Sequence, residues 1–270
     1  MGLAKCACID TLYTELPWRE RFSAAREDGF AAVEFWDWRV RDLEEIQREA
    51  EKAGIVISGF NGDADYSLVD PAQKELYLEA LERSMEAAKK TGARSLTIHS
   101  NALGEGGVVI DSYENLSDTV KLCSMYDTLL ACAQMAERER ITLHLEALNI
   151  TTDHVGNFLT TTQMGAEICR LIGSPRLKLL YDVYHMQLNE GSLCDNIRKY
   201  SDQFGHVHVA DAPGRHEPGS GEIFYPAVFR CLEACGYRGF VGYELFPAES
   251  TKKAVDAIMK YSRAGKSEKE

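Results

Sequence analysis

Four short runs of the chain end in residue types that bind divalent cations. "LHLEALN" carries Glu146, "LLYDVYH" carries Asp182 and His185, "HVHVAD" carries His208 and Asp211, and "GYELFP" carries Glu244. Each run opens with apolar, β-branched or aromatic residues and reads as a strand. Side chains alternate across a strand, so His144 shares a face with Glu146, His206 with His208, and Gly242 with Glu244. In each pair the second residue lies nearer the strand end, and Gly242 leaves room beneath Glu244. One imidazole and three carboxylates gathered at one depth would repel as bare charges, a cost that a divalent ion removes. The donor set is oxygen-rich with one nitrogen. It suits Mg²⁺, Mn²⁺ or Co²⁺ better than a structural Zn²⁺ held by thiolates. Taken singly, each residue has an ordinary alternative: a strand-end Asp caps the next helix, and an inward His hydrogen-bonds within the core. Four consecutive strands ending this way favour the metal centre. His144 and His206, one layer deeper, read as core or supporting residues.

The elements that must position these groups recur along the whole chain. Strand signals are "KCACID", "AAVEFWDW", "IVISGF", "SLTIHS", "ITLHLEAL", "LKLLYDVYH", "HVHVAD" and "FVGYELF". Between them lie segments of helical periodicity such as "PWRERFSAAREDG", "DLEEIQREAEKAG" and "AQKELYLEALERSMEAAKKTG", each closing on a glycine. Eight strands alternating with eight helices predict parallel βαβ units. No G-x-G-x-x-G follows the first strand, so an α/β fold closed as a single (β/α)₈ TIM barrel is expected rather than an open dinucleotide-binding sheet. No linker or low-complexity segment interrupts the repeat, which predicts one domain over residues 1–270. Catalytic groups of such barrels gather at the carboxyl ends of the strands. After the seventh strand, "APGRHEPGSGEI" is rich in Gly and Pro and reads as a loop with defined bends, able to lie over a ligand. Trp36, Trp38, Phe60 and Phe246 fall at strand ends, where they either wall the pocket or pack the upper layer of the barrel.

Bulk properties narrow the partners. The 270 residues carry a net charge of −12 with no basic cluster, which argues against nucleic acid and anionic lipid as partners. The N-terminal "MGLAKCACIDTLY" does not read as a secretory signal, and no run approaches the roughly 18 apolar residues of a membrane span. Eight cysteines are scattered; Cys6 and Cys8, and Cys231 and Cys235, read as buried free thiols rather than a zinc site. A reduced, cytoplasmic protein is expected.

In this order and spacing, "LHLEALN", "YDVYHMQ", "GHVHVADAPGRHEPGSGEI" and "GYELFP" resemble the hydroxypyruvate isomerase group of xylose isomerase-like barrels. The likeness runs over nearly the whole chain, including "GFAAVEFW", and is strongest over 141–247. It implies that Glu146, Asp182, His208 and Glu244 hold one divalent metal ion per chain, that Glu146 and Glu244 also form the acid/base pair, and that His185 and Arg215 contact substrate. It implies a homo-oligomer acting on a small hydroxy-oxo acid, interconverting hydroxypyruvate and tartronate semialdehyde, or a close 2-oxo acid analogue, through a cis-enediolate. One departure stands out: some members of the group have Gln where this chain has His208, and histidine there is typical of ketose 3-epimerases of the same superfamily. Arg215 follows His208 by seven residues, as in the isomerase group. Two other readings compete. A DNA-repair endonuclease resembling the endonuclease IV family needs three zinc ions and a basic face; a non-catalytic sugar- or metal-binding barrel needs no acid/base pair.

Overall fold

In the computed structural model, which describes residues 2–63 and 65–264, eight parallel strands close in sequence order into a barrel. They are β1 Ala4–Cys8, β2 Ala32–Phe35, β3 Val56–Asn61, β4 Ser95–Ile98, β5 Thr142–Glu146, β6 Leu177–Asp182, β7 Phe204–His208 and β8 Phe240–Tyr243. β8 pairs with β1, Cys6 opposite Gly242, and this closes the ring.

The helices surround it: α1 Arg21–Glu27, α2 Leu43–Ala53, α3 Lys74–Thr91, α4 Asp118–Glu139, α5 Thr162–Ile172, α6 Val183–Asn189, α7 Leu193–Tyr200, α8 Tyr225–Ala234 and α9 Thr251–Ala264. Their ends follow local chemistry. Asp42 accepts from the backbone N–H groups of Glu44 and Glu45 at the start of α2, and Gly54 ends it with φ 63°. Gly92 ends α3 in the same way.

Alternation along β5 shows how the barrel divides its side chains. Leu143 and Leu145 are fully buried in the hydrophobic core, each worth about 1.5–3 kcal/mol of burial. His144 and Glu146 occupy the other parity, and His144 stacks on His206 of β7 at 5.5 Å across the barrel interior.

Four expectations are corrected. Two helices, α6 and α7, follow β6, so the described residues hold nine α-helices rather than eight. The run "LKLLYDVYH" leaves the sheet at Asp182, whose side chain caps α6, so His185 stands on a helix and not on a strand. Cys235 is exposed, as is Cys123, while Cys6, Cys8, Cys132, Cys169 and Cys231 are buried free thiols. Strands two, seven and eight stop earlier than their apolar runs, leaving Trp36, Asp211 and Glu244 just beyond Phe35, His208 and Tyr243. Among the described residues no helix is long and apolar enough to cross a membrane.

Candidate active site

Register staggers the ligand-type residues along the β5–β8 arc, Glu146 pairing with Leu180 two residues before Asp182. Asp182 lies opposite His208, and His208 opposite Gly242, which places Glu244 two residues further toward the barrel mouth. His208 Nδ1 is 3.6 Å from Glu146 Oε1, 3.8 Å from Asp182 Oδ2 and 3.7 Å from Glu244 Oε2. These separations are too long for hydrogen bonds. They are slightly wider than the roughly 3.0–3.4 Å between donors that share a cation bound at about 2.1 Å. All four residues are buried, and Glu146 Oε1 and His208 Nδ1 have no hydrogen-bond partner. Orphaned buried polar atoms are costly, and here both point into the space among the four side chains. The residues therefore fit a divalent ion.

Electrostatics point the same way. Burial, reinforced by the charge of Glu146, raises the pKa of Asp182, so the carboxylates resist ionising together. Burial also opposes the charged form of Glu146, but His208 and His99 outweigh it and hold its pKa well below the usual range. For His208, burial is outweighed by the carboxylates of Glu34 and Glu244, which raise its pKa.

Around this cluster stand the groups that hold it. Trp36 Nε1 donates to Glu244 Oε1 at 2.5 Å, and Arg215 Nη2 donates to Glu244 Oε2. His99 lies between two carboxylates, its Nε2 3.2 Å from Glu146 Oε2 and its Nδ1 3.1 Å from Asp63 Oδ1. Although burial favours the neutral ring, those acids raise the pKa of His99 to about 10. The second oxygen of Glu146 is thereby engaged, and Oε1 is left facing the ligand space.

His185 projects from the first turn of α6 and is fully buried, its backbone N–H donating to Asp182 Oδ1 at 3.0 Å. Asn149 biases its tautomer. The Asn149 amide oxygen accepts from Thr152 N, Thr152 Oγ1 and Asp153 N at 3.0–3.1 Å, so its NH₂ faces His185 Nδ1 at 2.7 Å. That contact favours the ring proton on Nε2, 3.6 Å from Asp182 Oδ2, against the opposing pull of Arg215 Nη2, which can only donate and lies 3.5 Å from the same nitrogen. Burial and the Arg215 charge lower the pKa of His185 and keep it neutral.

Arg215 adopts φ 57°, a left-handed conformation that costs energy in a non-glycine residue and clusters at functional sites. Its guanidinium lies 5.5 Å over the Tyr184 ring, and its Nε is buried without a partner. Asp211 holds the loop that carries it, accepting from the backbone N–H groups of Ala212, Gly219 and Ile223 at 2.7–3.0 Å. Asp211 is thus engaged as a loop organiser, apart from the ligand cluster. At Gly221 a Cβ would collide with Ala212 O and stand 2.7 Å from Asp211 Oδ1, so that turn closes only over a glycine. His216 Nδ1 donates to Phe246 O at 2.7 Å and ties the loop to the segment after β8.

Of the residues singled out from sequence, Glu146, Asp182, His208 and Glu244 converge, with His185 and Arg215 beside them. Sequence reasoning assigned no role to Glu34, Asp63, His99 or Asn149, and left Trp36 between wall and packing. A signal for Glu34 was present: it is an acid inside the apolar run "AAVEFW", on the same parity as Trp36. Trp38 donates to Ser84 and Phe60 stacks on Phe35, so both pack the barrel, whereas Phe246 is 45% exposed and meets Trp36 edge-on at 6.4 Å.

Known proteins share this framework. The sequence profile of the xylose isomerase-like TIM barrel family matches residues 22–263. A curated protein of Escherichia coli named hydroxypyruvate isomerase is 29% identical over 257 residues, spanning 91% of this chain and 94% of its own. One of Cupriavidus necator named 2-oxo-tetronate isomerase is 29% identical over 258 residues, spanning 94% of this chain and 97% of its own. Among solved structures, one from Brucella melitensis titled AP endonuclease, family 2 superposes with TM-score 0.87 at 26% identity, over 97% of this chain and 99% of that one. An L-ribulose 3-epimerase shares the fold at 21% identity, with TM-score 0.77 over 98% of this chain and 93% of that one.

Proposed function

The chain belongs to the xylose isomerase-like TIM barrel family and is a hydroxypyruvate isomerase-like isomerase; on that premise we propose that it interconverts hydroxypyruvate and tartronate semialdehyde, or a close 2-oxo acid analogue, with one Mg²⁺ or Mn²⁺ held by Glu146, Asp182, His208 and Glu244. The observation that carries this reading is the meeting of Glu146, Asp182, His208 and Glu244 with a part-buried arginine at their edge.

When bound, the ion polarises the carbonyl of an α-hydroxycarbonyl substrate and acidifies the adjacent C–H. Glu146 and Glu244 come from the two outer strands of the β5–β8 arc and flank Asp182 and His208. One carboxylate removes the carbon-bound proton and the other delivers a proton to the neighbouring carbon, the enediolate standing between. His99 holds Glu146 and Trp36 holds Glu244, so each base keeps its orientation through the transfer. Arg215 supplies the cation for a substrate carboxylate, and His185, neutral with its proton on Nε2, donates to a substrate oxygen.

Returning the proton to the opposite face of the same carbon would make the product an epimer, and the same pair of glutamates serves that outcome. The Arg215 guanidinium, with its Nε buried and unpartnered, favours the oxo acid over a free ketose. Proton NMR of the Mn²⁺- or Mg²⁺-loaded protein with hydroxypyruvate in D₂O tests the proposal. Tartronate semialdehyde formed with deuterium incorporation is the expected result. Exchange at C3 of a ketose, with hydroxypyruvate inert, would replace it with the epimerase, and no exchange with either class would leave a binding protein.

A further inference from the structure

His208 presents its two ring nitrogens to different surroundings. Nδ1 faces three carboxylates at 3.6–3.8 Å, a spacing that leaves room for a cation. Nε2 faces Glu34 Oε1 at 3.3 Å, a spacing that leaves room only for a proton. Glu34 stands on β2 and is 8% exposed. Its Oε2 accepts from Ser58 Oγ at 3.1 Å and lies 2.8 Å from His206 Nε2, while Oε1 has no well-aligned partner of its own. The His208 ring is the donor within its reach.

Gly242 completes the arrangement. A Cβ there would collide with Glu34 Oε1 and stand 2.7 Å from His206 Nε2 and 2.8 Å from His208 Cδ2. Its backbone is outside the left-handed region, so glycine supplies space here rather than conformational freedom. The Glu34 carboxylate occupies that space.

We propose that Glu34 is a positioning residue for the metal centre: it accepts the Nε2–H of His208 and so fixes the tautomer whose Nδ1 lone pair faces Glu146, Asp182 and Glu244, and Gly242 preserves the space in which that carboxylate lies. This rests on the proposed role of His208 as a ligand. The physical need is specific. Three carboxylates around Nδ1 draw the ring proton to that nitrogen, and an Nδ1–H tautomer has no lone pair for a cation. An acceptor on the far side of the ring reverses the preference.

Glu34→Gln separates this from a packing role, because the two side chains have nearly the same shape. Ser58 Oγ donates to Oε2, so the Gln oxygen settles there. Its NH₂ then faces His208 Nε2 and turns that nitrogen into an acceptor. Titration of Mn²⁺ into the chelator-stripped full chain should show about 10–100-fold weaker binding in Glu34→Gln than in the wild type, with circular dichroism unchanged. Proton NMR of the Co²⁺-loaded wild type should contain one strongly shifted, slowly exchanging ring N–H from His208. That resonance should disappear in Glu34→Gln and persist in Glu34→Asp. Gly242→Ala, which displaces the carboxylate without altering it, should also weaken Mn²⁺ binding and keeps the test open should Gln unfold the protein. Mn²⁺ affinity within twofold of wild type in folded Glu34→Gln and Gly242→Ala would overturn the inference and leave the metal centre standing. No Mn²⁺ binding by the wild type would overturn both.

Discussion

The two halves of the barrel contribute to the site in different ways. β5, β6, β7 and β8 deliver Glu146, Asp182, His208 and Glu244, one from each consecutive strand or the residue just after it. β1 to β4 deliver none of these four but supply the groups that touch them: Glu34 against His208, Trp36 against Glu244, and Asp63 through His99 against Glu146. Neighbouring parallel strands lie about 4.8 Å apart, so four consecutive ends suffice to surround one ion. The other half faces them across the barrel and reaches the backs of their carboxylates and imidazole. In the proposed centre the ligands lie on one arc, and the arc opposite adds to the orientation that Arg215 and the His185 N–H supply from the ligand arc itself.

The sharpest way to break this division is to neutralise a base on the ligand arc. Glu146→Gln and Glu244→Gln should each lower the isomerisation rate by about 10²–10⁴-fold with the fold intact, read as loss of deuterium incorporation in D₂O. Retained turnover in either would remove that residue from the acid/base pair.

Asp182→Asn probes the ion rather than the proton. The wild type at Mn²⁺ near 100 times its Kd should gain about 2.7 kcal/mol of stability, a thermal shift of several degrees, and the variant should lose most of that shift. Without metal, the variant should melt no lower than the wild type, because it removes a buried carboxylate that already resists ionisation. A metal-free variant that melts far below the wild type would mean that Asp182 is held by protein contacts alone.

On the supporting arc the effects should be smaller. Asp63→Asn leaves His99 in place but weakens its hold, and should reduce kcat by about tenfold with little change in KM. An equal rise in KM would instead place Asp63 in substrate binding.

The smallest effect is a titration. In the metal-free protein the His99 pKa is raised from 6.5 to about 10, so its ring should remain protonated through pH 8 by ¹⁵N NMR. With the folded value above the unfolded one, its contribution to stability is complete below pH 6.5 and is lost as pH rises through about 10. Titration of that ring near pH 6.5 would show that Asp63 and Glu146 do not hold it.

Legibility in the sequence followed the range of the interaction. The ligand arc could be read because strand periodicity and position at a strand end are local properties, and Glu146, Asp182, His208 and Glu244 all satisfy them. His185 reads as part of a strand because "LLYDVYH" is mostly apolar and aromatic, and only the capping of α6 by Asp182 ends the strand. Asp211 looked like another strand-end acid, yet its carboxylate is taken by three backbone N–H groups of the loop that follows.

By itself the sequence determined the alternation of strand and helix, the parity of each strand, and hence which acids and imidazoles could face inward together. Tertiary structure alone decided what stands behind them. Trp36 and Glu244 are separated by 208 positions and meet only because β8 closes onto β1. Glu34 reaches His208 only because a glycine at 242 leaves the gap between them open. Contacts of that kind depend on barrel closure and strand register, which no window of neighbouring residues encodes.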